Sequence, residues 1–313
     1  HRAALVREAA VEALECVAGR GDERAVAAAL ARLEDGSGAV REAALCALRR
    51  VAAEGDEQAI AAALAQLGDQ EPSVRRAALG ALAALARQSD KRILGAVCAS
   101  LGDRDATVRR AALGALEPVA GRGCQTALAE VCSCLEASEP PACPDVLRAI
   151  AVVAERGDER AVAAVTARLE DEGAATRSAA LAVLAQVARL GDPSAIAAVC
   201  AGLRSHTGSV RSAAAKALAE VAERGDECVL AEVGGCLEEE DECVREAALQ
   251  GLRQAAGRGD ARAVALARAG LKDASQSVRR VAVEVLGAIA ERGDSEAISG
   301  ACACLEDGSS DVR

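Results

Sequence analysis

Apolar residues along this chain fall into two alternating blocks, and the pair of blocks recurs every 34 residues. In the first block Ile60, Ala63, Leu64 and Leu67 stand at i, i+3, i+4 and i+7, which is one face of a helix. Asp56 sits where a carboxylate can accept from the free N–H groups of a first turn. The pattern predicts a helix from about Asp56 to Leu67. Residues 68–73 then turn the chain. A second helix is predicted from Val74, with Ala77, Ala78, Leu82 and Leu85 facing inward. Both helices are short and rich in Ala, so neither is stable alone, and stacking on neighbours must supply the core.

Two markers fix the period. One series of Gly-Asp pairs, at Gly21, Gly55, Gly157, Gly191, Gly225, Gly259 and Gly293, falls on a spacing of 34 residues or a multiple of it. Ser89-Asp90 and Gly123-Cys124 fill the two missing beats. The glycine suits the left-handed conformation that ends a helix. Val-Arg keeps the same period at Val6, Val40, Val74, Val108, Val210, Val244, Val278 and Val312, with Ala142-Cys143 and Thr176-Arg177 between. No insertion interrupts nine periods. The expectation is one all-α solenoid over residues 1–313, not two or three globular domains. Neither Arg2-Ala-Ala-Leu5 nor Asp311-Val-Arg313 has the polar outer face of a capping repeat, so a longer array is expected around this one.

The loop Asp followed six residues later by Arg, as in Leu33-Glu-Asp35 to Val40-Arg41-Glu-Ala-Ala-Leu45, resembles the HEAT-repeat family in its short-repeat form, also seen in phycobilisome lyases. The resemblance covers essentially the whole chain. It implies nine two-helix repeats in a right-handed superhelix, with the Val-Arg helices lining the concave face. It also implies an Asp–Arg ladder along the loops. The pairs would be Asp35–Arg41, Asp69–Arg75, Asp103–Arg109, Asp171–Arg177, Asp273–Arg279 and Asp307–Arg313. Glu239–Arg245 is a near equivalent, and Ser205 stands before Arg211 without a charge. Tetratricopeptide repeats share the period but need aromatic positions that this chain lacks.

The pattern breaks between Glu117 and Asp145. Pro118 falls inside a Val-Arg helix, where it removes a donor and crowds the preceding turn. Cys124 replaces a capping Asp, while Ala137 and Cys143 replace a ladder Asp and Arg together. Pro140, Pro141 and Pro144 stiffen the turn. A hinge over 117–145 is one expectation, and a drifted repeat held by its neighbours is the other.

Composition narrows the function. Lys+Arg is 37 against Asp+Glu 48, a net charge of −11, and Phe, Trp, Tyr and Met are all absent. That argues against nucleic acid, which needs a basic footprint and stacking rings. No apolar run spans a bilayer. Small Ala and Leu faces let helices approach closely and leave no gap for a ring.

Thirteen cysteines are many for this length. Cys98, Cys132, Cys200 and Cys302 share the phase of Leu30 and Leu64 and are expected in the core. Cys134, Cys236 and Cys304 share another phase. Equivalent positions in stacked repeats lie about 8–10 Å apart, beyond disulfide reach. Free thiols in this number fit a reducing, intracellular compartment. Cys124, Cys132, Cys134 and Cys143 cluster at the broken repeat and are the one metal or redox candidate. Their spacing is not that of zinc knuckles, and no His is near. Of the two histidines, His1 and His206, the second falls in a loop and is expected to be solvated.

No catalytic constellation emerges, and no cofactor is expected. The chain has no His-Glu pair of the kind that HEAT-like deoxyhypusine hydroxylases use, and none of the aromatics that HEAT-like DNA glycosylases use. Bilin lyases share the Val-Arg-x-Ala-Ala pattern, so a bilin lyase or isomerase subunit is the alternative function, although Ala makes poor walls for a chromophore. The leading expectation is a non-catalytic scaffold that binds protein partners on its concave face. Positions expected there vary between repeats: Glu12, Cys46, Gly80, Gly114, Arg148, Ala182, Lys216, Gln250 and Glu284. Arg148, Arg189, Arg253 and Arg258 are the candidate anchors, since Arg commonly anchors interfaces. Acidic runs such as Glu238–Glu242 suit a solvated loop edge, or a basic partner segment.

Overall fold

The computed structural model describes residues 2–87, 90–137 and 143–313. His1, Ser89, Pro140, Pro141 and Ala142 lie outside the described residues, as does the side chain of Cys143. Every regular element among the described residues is helical. The chain divides into two compact units, residues 1–155 and 156–313. The division falls ten residues past Asp145.

The first unit holds α1 (Arg2–Val17), α2 (Glu23–Leu30), α3 (Gly38–Val51), α4 (Glu57–Ala65), α5 (Pro72–Leu85), α6 (Lys91–Ser100), α7 (Ala106–Ala120), α8 (Gln125–Ala137) and α9 (Cys143–Val153). The second holds α10 (Glu159–Thr166), α11 (Ala174–Val187), α12 (Pro193–Leu203), α13 (Gly208–Val221), α14 (Glu227–Cys236), α15 (Glu242–Ala255), α16 (Ala261–Gly270), α17 (Gln276–Ile289) and α18 (Ser295–Cys304). Within each unit the even-numbered helices form one row and the odd-numbered helices, most of them carrying Val-Arg, the other. Within each unit the Val-Arg helices pack closely on one another, α3 on α5 and α13 on α15, whereas α2 and α4 barely touch. The Val-Arg row is therefore the inner row of each unit.

Local chemistry explains both markers. Asp56 caps α4 by accepting from the N–H groups of Gln58 and Ala59, each at 3.1 Å. Asp22, Asp90, Asp158, Asp192, Asp226, Asp260 and Asp294 cap their helices in the same way. The preceding glycine has a second task. Gly55, at φ +78, turns its N–H onto the last carbonyl of the next inner helix, Leu85, at 2.8 Å. Gly157, at φ +87, does the same to Val187 at 2.6 Å. A β-carbon at such a φ is strained, so the period is written in glycine.

The core differs in detail from the expected stripe. Val74, Ala78, Leu79, Ala81, Leu82 and Leu85 of α5 are buried, but Ala77 is half-buried. In α4 the buried face runs through Ala59, Ile60 and Ala63, while Leu64 and Leu67 sit at its edge, half-buried. The helix also ends sooner than expected, at Ala65, and tightens into a 3-10 turn over Gln66–Gly68. That turn carries Leu67 out of the helical phase. Arg75, a member of the expected ladder, is 5% exposed.

Pro118 does not break its helix. α7 runs on to Ala120 and closes at Gly121, φ +72, whose N–H donates to Glu117 at 2.9 Å. The residue four before Pro118 is Gly114, with no side chain to crowd the ring, and Pro118 itself is exposed. Cys124 keeps its place without the carboxylate, its carbonyl accepting from Leu128 at 2.9 Å.

Candidate functional site

The ladder forms, but between repeats. Arg41 donates from Nε and Nη2 to both oxygens of Asp69, at 2.7 and 2.8 Å, and from Nη1 to the backbone carbonyl of Asp35 at 2.8 Å. The expected side-chain pair Asp35–Arg41 is thus a side-chain-to-backbone contact, and the carboxylate comes from the following repeat. Arg7–Asp35, Arg75–Asp103, Arg245–Asp273 and Arg279–Asp307 repeat this two-pronged geometry at 2.6–2.9 Å. The reason is geometric. With Nη1 held by its own loop, the free edge of the planar fork faces the next repeat. Each Asp also accepts from a backbone N–H two residues on, as Asp69 does from Glu71 at 2.8 Å.

At the broken repeat the ladder is repaired. Arg109 donates from Nε to Asp145 at 2.7 Å, so the carboxylate missing at Ala137 is supplied from the first turn of α9. Asp171 keeps its turn by accepting from Gly173 at 3.2 Å, and its backbone carbonyl accepts from Arg177 at 2.6 Å. Two rungs of the second unit have no bidentate carboxylate: Arg177, opposite Ser205, and Arg211, opposite Glu239, which bonds Arg204 instead at 3.1 Å.

The ladder carboxylates of Asp35, Asp69, Asp103, Asp273 and Asp307 are held below their ordinary range. The Arg7 guanidinium and the Ser37 N–H bring Asp35 to about 2. Arg279 and Ser309 do the same for Asp307, also to about 2. Hydrogen bonds from Arg41 and Arg245 lower Asp69 and Asp273. A carboxyl whose pKa is lower folded than unfolded stabilises the fold above its unfolded value, about 4, and that contribution is lost as pH falls through the folded value. The thermal midpoint should therefore be flat from neutral pH to about 5 and fall between about 4 and 2. Differential scanning calorimetry across that range checks it. A midpoint unchanged down to pH 2 would show that the ladder does not contribute.

The cysteines differ widely in burial. Cys98 and Cys200 are buried, and burial pushes both thiols up to about 12, far from the thiolate that reaction or metal binding needs. Cys132, Cys236 and Cys304 are buried and Cys134 is half-buried. Cys302, expected in the core, is exposed, because α18 is the last helix of its row in this chain. Among the described residues no disulfide is formed and no three His, Cys, Asp or Glu groups stand close enough to share a metal ion. Of the candidate set Cys124, Cys132, Cys134 and Cys143, the fourth side chain lies outside the described residues. His206 is exposed.

Three of the four candidate anchors have structural partners. Arg148 pairs with Asp145 at 2.8 Å, one turn back on α9. The Arg189 guanidinium lies over Gly157, where a β-carbon would collide with it. Arg258 donates to the Ala290 carbonyl at 3.4 Å. Arg253 is exposed and makes no hydrogen bond or ion pair to any described residue.

Arg253 lines a groove of about 340 Å³ across α13, α15 and α17 on the inner row. Lys216, Gln250, Gln254, Arg280, Glu284 and Ser212 make its walls, over a floor of Ala215, Val281 and Val285. Arg280 donates to Glu284 at 2.7 Å, one turn on. Lys216, like Arg253, has no partner among the described residues. Three cations against one carboxylate make this a positive patch on a chain of net charge −11. Lys216, Gln250 and Glu284 were among the expected concave positions. Ser212 and Arg280 were missed, although both lie four residues before named positions and so on the same helical face.

A family model for HEAT repeats matches residues 134–219, 177–253 and 230–313. A comparison with curated protein sequences finds no match. The structure of Kap95p with RanGDP contains a chain similar to this one at TM-score 0.60 and 15% identity, over 92% of this chain and 44% of that one. The karyopherin Kap121p, bound to the extreme C-terminus of the protein phosphatase Cdc14p, is similar at TM-score 0.63 and 15% identity, over 92% of this chain and 36% of that one. This chain therefore spans less than half the length of either, and the likeness is one of fold. No helix among the described residues is long and apolar enough to cross a membrane.

Proposed function

The chain belongs to the HEAT-repeat family, and from that premise we propose that it is a non-catalytic interaction scaffold whose inner row holds an acidic segment of a partner protein. The observation that carries this reading is the pair of unpartnered cations, Lys216 and Arg253, at one groove. Two other inner-row arginines are instead paired within the fold, Arg76 with Glu42 at 2.9 Å and Arg50 with Glu15 at 3.1 Å. Amide side chains at Gln250 and Gln254 add donors and acceptors for a peptide backbone. Two chains of similar fold are seen with protein partners, Kap95p with RanGDP and the karyopherin Kap121p with the extreme C-terminus of Cdc14p. The fold's use of an extended inner surface is common to repeat proteins.

Fluorescence anisotropy with a labelled, synthetic Asp- and Glu-rich peptide tests the reading. The double variant K216E/R253E should weaken binding at least about tenfold and flatten its salt dependence, because both effects follow from the same opposed charges. R224E, a charge reversal at an exposed arginine outside the groove, should leave binding within about twofold. Equal affinity in wild type and the double variant would refute the groove assignment.

A further inference from the structure

The gap in the ladder at Arg177 is a built vacancy. Counting 28 residues on from Arg41, Arg75, Arg245 and Arg279 reaches an Asp that takes both prongs of the guanidinium. Counting 28 on from Arg177 reaches Ser205. The serine keeps the turn, its Oγ accepting from the Thr207 N–H at 3.2 Å, but has no charge and no second oxygen. The arginine keeps its pose. Nη1 donates to the carbonyls of Asp171 and Glu172 at 2.6 and 2.8 Å, as its counterparts do in their own loops. Nη2 reaches only the neutral Thr207 Oγ1 at 3.2 Å, and Nε has no acceptor among the described residues. The fork is thus oriented for a carboxylate that the chain does not supply.

A cavity of about 380 Å³ opens beside it, lined by Arg177, Ser205 and Thr166 and by apolar walls including Leu169, Leu181 and Val210. Glu170 is the one carboxylate among the lining residues; it is exposed and makes no hydrogen bond to Arg177. An oriented guanidinium at a small apolar cavity selects an anionic head on an apolar body. We propose that this cavity binds a carboxylate carried on a short apolar chain, whose two oxygens complete the ladder on Nε and Nη2 of Arg177. The site is separate from the inner-row groove and does not depend on it.

Hexanoate, with hexanamide as the uncharged control, is the probe, titrated by isothermal calorimetry into the whole chain. Hexanoate should bind at least about tenfold tighter than hexanamide, since only the acid makes the charged two-pronged bond. S205D should raise the thermal midpoint by closing the rung from within, and weaken hexanoate binding at least about tenfold. R177K, which keeps the charge but loses the fork, should weaken it similarly. N-acetylleucine separates the sources. Tighter binding than hexanoate assigns the site to a chain terminus ending in an apolar residue, and weaker binding assigns it to a free acid. Equal binding of hexanoate and hexanamide, no binding of either, or full binding by a folded S205D overturns the proposal.

Discussion

Replacing Arg75 with Ala should cost about 3 kcal/mol of stability in equilibrium urea unfolding, the lower end of the range for breaking a buried ion pair by removing one partner. The side chains of Arg75 and Asp103 are 6% and 14% exposed. Truncation removes both prongs on Asp103, at 2.8 Å each, and the donors to the carbonyls of Asp69 and Gln70 at 2.8 and 3.2 Å. What remains is a half-buried carboxylate with no counter-charge, which is why the loss exceeds the net worth of the pair. Its neighbour provides the control. Arg76 pairs with Glu42 across exposed surface, their side chains 53% and 30% exposed. R76A should cost only about 0.5 kcal/mol, as exposed pairs do. Equal costs for the two would mean that the loop ladder is no more than a solvated charge row.

That ladder also marks where sequence reading stopped. The six-residue spacing from Asp35 to Arg41 was legible because it repeats, and repetition exposes framework residues. Which Asp each Arg meets was not legible. A period of 34 places one Asp six residues before an Arg and another 28 after it, and the pattern treats them alike. Only the three-dimensional fork decides, by giving Nη1 to a backbone carbonyl and turning Nε and Nη2 forward. The repair of Arg109 by Asp145 was hidden for the same reason: it breaks the period, standing 36 residues on instead of 28. The helices themselves were legible throughout, since the Asp cap and Gly turn are local chemistry.

The inner groove was half legible. Lys216, Gln250 and Glu284 were among the expected concave positions, but variation between repeats fits drift as well as binding and did not by itself mark the groove. It could not show that Arg280 is occupied by Glu284 while Lys216 and Arg253 are not. Nor could it show that Arg148, Arg189 and Arg258 serve the fold, because each meets a group outside its own phase: Asp145, the Gly157 turn and the Ala290 carbonyl. In an Arg-rich chain, charge alone does not distinguish a partner contact from a strut.

Leu82→Ala should be the most damaging apolar truncation of α5, at about 3–4 kcal/mol within the usual 2–5 for a buried leucine. Leu82 is fully buried on the inner row, among Ala78, Leu79, Ala81 and Leu85 of its own helix. The size of the loss depends on whether the surroundings can fill the void. Alanines have no rotamers with which to do so, and the inner helices are already in close contact. The cavity should therefore persist instead of collapsing. Leu64→Ala is the contrast, because Leu64 is half-buried at the edge of the α4 stripe and part of its surface already meets water. Its cost should be about 1 kcal/mol, by the apolar area it leaves to lose. Urea midpoints with unchanged m-values measure both. A Leu64→Ala cost equal to that of Leu82→Ala would move the core to the outer row and place the helical phase one residue from where the structure puts it. Leu82→Phe should also destabilise, by about 1–3 kcal/mol, because a ring overfills a space closed by alanine. Close packing of this kind leaves no room for a ring at the inner-row core positions.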